Sequence, residues 1–196
     1  MNPVFFFLVE TYRTERLKTL GVWSQIPDEQ MGFRPERRAR SPLEHMVHQC
    51  VSEDMWMKNM LGITVSRPAL PAHETRAAFL EHYAECSAER LEILAKQPEE
   101  WYLGETAFFD VSRSRAWILT RRLTHSSHHR GQLTTYLRLW GQPLYSTYGP
   151  TADTGGLFQN GARVIYRYGS ADDERLPVAT AKPVTERPDQ PGPEQK

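Results

Sequence analysis

Apolar residues recur at intervals of three and four through most of residues 1–140, and Gly, Pro and capping residues cut that stretch into four long segments. Asn2 ahead of Pro3 predicts a first helix start, where the missing proline N–H costs nothing. This helix is expected to run to about Thr19 or Leu20 and stop near Gly21. The second start is the clearest: Ser41 as cap, Pro42 at the first position and Glu44 three residues on form a capping box. Its pattern continues through Met55, Trp56 and Leu61 to Gly62. Pro68 and Pro71 mark residues 63–72 as a connection. A third helix is expected over about His73 to Lys96, with Phe79, Tyr83, Leu91 and Leu94 as its apolar positions. After a connection containing Gly104, a fourth helix is expected over about Ser112 to Trp140, closed by Gly141 and Pro143.

Four such helices predict an all-α fold, a four-helix bundle over residues 1–150. The character then changes. Asn160-Gly161 between Leu157-Phe158 and Val164-Ile165-Tyr166 suggests a short hairpin in an extension over residues 151–170. Residues 171–196 are polar and hold Pro177, Pro183, Pro188, Pro191 and Pro193, so they are expected to form a mobile tail.

Charge removes some functions. Lys plus Arg equals Asp plus Glu at 24 each, which leaves no basic excess to neutralise phosphates and argues against nucleic acid as a partner. The local run Arg34, Arg37, Arg38 and Arg40 reads as a solvated connection. Two cysteines, Cys50 and Cys86, do not make a disulfide scaffold. The apolar run Val4 to Val9 is short, lacks a preceding positive region and is followed at once by Glu10. It reads as neither signal peptide nor membrane span, so a soluble cytoplasmic protein is expected.

Candidate chemistry concentrates in Thr124-His125-Ser126-Ser127-His128-His129-Arg130-Gly131-Gln132. At 3.6 residues per turn His129 lies about 40° from His125, on the side shared with Leu133, Tyr136 and Trp140. Two imidazoles one turn apart can serve a single metal ion, and a third from another helix would leave an open coordination position. Arg122 interrupts the otherwise apolar inward face. His128 lies about 60° to the other side, over Thr124 and Thr135, yet its spacing from His125 keeps it a candidate. On the second helix His45 and His48 compete; periodicity favours His48, while His45 sits in a first turn where solvent access is easier. Gly131 fits either a close approach by a neighbour or simply relaxed packing. No Glu-x-x-His pair occurs, which disfavours a di-iron carboxylate bundle.

The His-x-x-x-His-Arg-Gly-Gln run, with Leu133, Leu137, Arg138 and Gly141 after it, resembles the DinB/YfiT-like metalloenzyme superfamily. So do Ser41 with His48 seven residues later and the approach Phe33-Arg34-Pro35. The resemblance covers about residues 3–150 and implies a bundle, often a homodimer, with a divalent-metal site of three histidines. Carried over position by position, the ligands it implies are His48, His125 and His129.

Imidazole ligands suit Zn, Ni and other first-row ions. Such an ion, with one position open, can lower the pKa of bound water or thiol. Gln132 and Glu44 are candidates to orient the ligand rings. Cys50 points away from His48 on a helix and reads as a packed core thiol. The resemblance implies a metal-dependent enzyme acting on a small-molecule substrate, such as an S-transferase using a low-molecular-weight thiol. Metal-dependent hydrolysis and a non-catalytic metal-binding sensor or interaction module are the alternatives.

Overall fold

A computed structural model describes residues 4–142, 144–149 and 153. Its helices are α1 (Phe6–Trp23), α2 (Pro42–Asn59), α3 (Arg76–Ala95), the short α4 (Glu99–Leu103) and α5 (Arg115–Leu139), with a two-stranded ribbon, β1 (Glu105–Phe108) and β2 (Val111–Ser114), ahead of α5. The bundle is made of α1, α2, α3 and α5.

Local chemistry fixes most helix ends. The Ser41 hydroxyl accepts from the Glu44 amide at 3.3 Å while a Glu44 carboxylate oxygen accepts from the Ser41 amide at 2.8 Å, the reciprocal box expected of that sequence. At the far end Gly62 takes φ +70°, letting the Ile63 amide turn back to the Met57 carbonyl at 2.7 Å. Gly21 does not end α1, because the turn after it is buried: Trp23 is fully covered, and the helix closes with the Ser24 amide on the Leu20 carbonyl. The expected start at Asn2 and Pro3 lies outside the described residues. Thr75 rather than His73 opens α3, accepting from the Ala78 amide at 3.2 Å.

The ribbon corrects the expected start of the last helix at Ser112. Residues 111–114 pair antiparallel with 105–108, from Phe108↔Val111 to Glu105↔Ser114, and Ser114 caps the helix instead. The hairpin expected around Asn160-Gly161 and the tail expected from Ala171 lie outside the described residues.

Two apolar clusters give the helix directions. One holds Tyr12 from early α1, Trp56 and Met57 from late α2, Leu94 from late α3 and Leu119 from early α5. The other holds Leu20 from late α1, Met46 from early α2, Phe79 from early α3 and Leu133 from late α5. Hence α1 and α5 run parallel, and α2 and α3 run together in the opposite sense. Parallel α2 and α3 require a connection along the length of the bundle, which residues 60–75 provide with Ile63 and Val65 buried.

Between the clusters lies a buried polar layer. The Glu53 carboxylate, 1% exposed, accepts from Tyr12 at 2.6 Å and Tyr83 at 3.2 Å, with Arg90 at 3.6 Å and Arg122 at 3.7 Å. Arg122 also donates to Ser52 and Ser126, and Arg90 to Asp54. The arginine that breaks the apolar stripe of α5 is thus an interior residue, neutralised from α2. Among the described residues no helix is long and apolar enough to cross a membrane.

Candidate metal centre

Side chains from two helices meet where α2 leaves its first turns and α5 passes its midpoint. His48 Nε2 lies 3.4 Å from His125 Nε2, which lies 3.2 Å from His129 Nε2. One ligand nitrogen from each of the three falls within 4.8 Å of the others, so the cluster can hold a metal ion. Zinc–imidazole bonds of about 2.0–2.1 Å in a tetrahedron place nitrogens about 3.3–3.4 Å apart, so these two separations suit a single ion.

The rings are held in the form a metal needs. Burial lowers the pKa of His125 to about 3, helped by the Arg122 charge, and burial lowers His129 to about 4 against an upward pull from Gln132. His48 is lowered by burial and by the charges of Arg40 and Arg122. Neutral imidazoles are available to a metal without first losing a proton. Gln132 Oε1 sits 2.9 Å from His129 Nδ1. With the proton on Nδ1, the Nε2 lone pair of His129 is directed at its neighbours. Of the two candidate orienting residues, Gln132 fills that role, whereas Glu44 is committed to the Ser41 amide and to Arg34.

Neither competing histidine joins the cluster. His128 is exposed, its ring centroid 5.1 Å from that of His129. His45 is only 2% exposed, which overturns the expectation of easy solvent access in the first turn of α2: that turn faces late α5, and the ring packs between His129 and Tyr136. Its Nδ1 is buried and has no hydrogen-bond partner among the described residues. A Cβ on Gly131 would meet no described atom within 4 Å, so this glycine does not serve the close approach of a described helix. Cys50 is buried, and desolvation pushes its thiol well above the ordinary range, as suits a core residue and not a nucleophile.

Two neighbours escaped the sequence reading. Trp56 stacks on His125 with centroids 5.6 Å apart at 22°, and the ribbon residues Phe108 and Phe109 pack on the same indole. The available signal was the spacing of His48, Ser52 and Trp56, which puts them on one line of α2. Arg130 is the other. It turns from the histidines toward α1, donating to the Thr19 hydroxyl at 2.9 Å, to the Glu15 backbone carbonyl at 3.2 Å and to the Glu15 carboxylate. Tyr148 closes the same group. Within the His-Arg-Gly-Gln run the histidine faces the centre and the arginine fastens α5 to α1.

A family model described as the DinB family matches residues 1–156. The chain belongs to the DinB family. No curated protein matches it. Among solved structures, the chain is similar to a DinB-like protein from Bacillus cereus at 16% identity and a TM-score of 0.64, over 76% of this chain and 100% of that one. It is also similar to a DinB-like protein from Bacillus subtilis, with 16% identity, a TM-score of 0.55, and coverage of 69% and 93%. Identities that low speak for the fold alone. The DinB bundle is therefore shared, while the chemistry of this copy lies in its own residues.

Proposed function

We propose that this DinB protein is a divalent-metal enzyme, with His48, His125 and His129 as ligands and Zn or Ni as the metal, that transfers a low-molecular-weight thiol to a small electrophilic substrate. The carrying observation is the convergence of three neutral imidazoles at 3.2 and 3.4 Å. A bound ion with one open position supplies a Lewis acid that makes a thiol or water acidic near neutral pH. The chain's own groups hold and aim that centre. Gln132 orients His129, Trp56 covers one side of His125, and the capping box fixes the start of the helix from which His48 projects a turn later. In the transfer a carbon–sulfur bond forms as the bond from that carbon to its leaving group breaks. The leaving group keeps the electron pair, and the thiol proton passes to solvent. The thiol step rests on the resemblance to the superfamily, as does a homodimeric state.

The test is an untagged preparation analysed for metal, then assayed with thiols and electrophiles. About one metal per chain and thiol-dependent loss of electrophile are expected. Turnover without thiol would assign hydrolysis instead, and metal uptake without turnover a binding module. No metal after reconstitution with Zn or Ni would remove the centre itself.

A further inference from the structure

The outer face of α2 is apolar where it meets solvent. Leu43, Val47, Val51 and Met55 succeed one another at intervals of four and line a groove of about 570 Å³ with His48 and Glu74. Val51 is 41% and Met55 39% exposed, although α2 already presents Met46, Cys50 and Met57 to the core. Such a volume suits a small ligand, and apolar side chains kept at the surface in a contiguous row mark recognition. His48 belongs both to this groove and to the three-histidine cluster. A molecule whose head reaches the histidines from this side therefore lays its body against α2.

The rim sets the charge. Glu44 is neutralised by Arg34, whereas Glu74 is exposed and has no hydrogen-bond or ion-pair partner among the described residues. We propose that the groove takes the hydrocarbon body of the substrate: an extended alkyl or aryl chain, uncharged or cationic at its far end, whose reacting head sits at the histidines. This rests on the metal reading above. From Leu43 to Met55 the helix rises about 18 Å, room for a chain on either side of His48.

Cobalt(II)-loaded full-length protein tests it, titrated with ethanethiol, hexanethiol, 6-aminohexanethiol and 6-mercaptohexanoate and followed by the sulfur-to-cobalt absorption. A fully buried methylene strengthens binding about threefold to fourfold. Hexanethiol and its amino analogue should therefore bind about tenfold or more tighter than ethanethiol in a groove open on one side. The carboxylate analogue should lose much of that gain. Val51→Asp should abolish the length dependence with cobalt uptake unchanged. Cobalt binding with no length dependence would overturn the groove, as would a Val51→Asp variant that separates a dimer in sedimentation, since a second copy would then cover this face. A metal-free arm keeps the two readings apart: 1-hexanol should shift the ¹³C-methyl resonance of Met55 in the apo protein. If cobalt is not taken up but that shift occurs, the metal reading fails while the groove stands as an apolar site; without the shift, the groove fails too.

Discussion

His128 and His129 are adjacent in sequence and identical in composition, and a rotation of one residue along α5 separates their environments. His129 is 4% exposed with Nε2 at 3.2 Å from His125, whereas His128 is exposed. His129→Ala should weaken metal binding by about 100-fold or more, Gln132→Ala by about 10-fold, and His128→Ala hardly at all. The same comparison on α2 sets His48→Ala, which should lose the metal, against His45→Ala, which should retain most of it. Titrations with a competing chelator, with helicity checked, decide the set; loss in the His128 and His45 variants with retention in the other two would reverse the assignment. Angular position was readable because 3.6 residues per turn is a constant of the backbone. The burial of Arg122 and Arg130 was not. A hydropathy pattern scores an arginine as solvent-facing, and the carboxylates that bring these two inside, Glu53 and Glu15, come from other helices.

At the scale of elements, sequence spoke clearly wherever a side chain satisfies its own backbone. Ser41 and Glu44 complete each other's hydrogen bonds within one turn, so nothing distant is needed to read them. Ser41→Ala should cost about 1 kcal/mol of stability. Because His48 stands one turn further along the helix that this cap starts, the substitution should also lower metal affinity by a small factor while leaving the stoichiometry unchanged. Urea unfolding and a chelator titration on one preparation check both. Full metal loss would mean that the cap shapes the site far more than its hydrogen bonds suggest. The β1–β2 ribbon, by contrast, left little trace. Its strands have four residues each, and the turn residues between the paired Phe108 and Val111 are Phe109 and Asp110, without glycine. Phe109 adopts φ +54°, a conformation that turn-forming Gly or Asn would have advertised. Its contact with Trp56 is tertiary and therefore invisible to a local pattern.

For the whole molecule, the polar layer and the histidines serve one purpose, fixing α5 against its neighbours by groups that tolerate no sliding. Arg122 fastens α5 to Glu53 of α2, Arg130 fastens it to Glu15 of α1, and the histidine cluster adds a third tie between α2 and α5. A metal bound there stabilises the fold by mass action, by about 2.7 kcal/mol at a free concentration of 100 times Kd. With about 2–4 °C per kcal/mol for a domain of this size, chelation should lower Tm by roughly 5–10 °C. His48 alone among the three comes from α2, so His48→Ala should shrink the metal-dependent part of Tm to the small term that a weak grip of His125 and His129 on the ion would leave. Differential scanning calorimetry of wild type and variant, each with metal and with chelator, separates the terms. A wild-type Tm indifferent to a metal shown to be bound would mean that the unfolded chain holds the ion as tightly as the folded one, and that the centre ties nothing together.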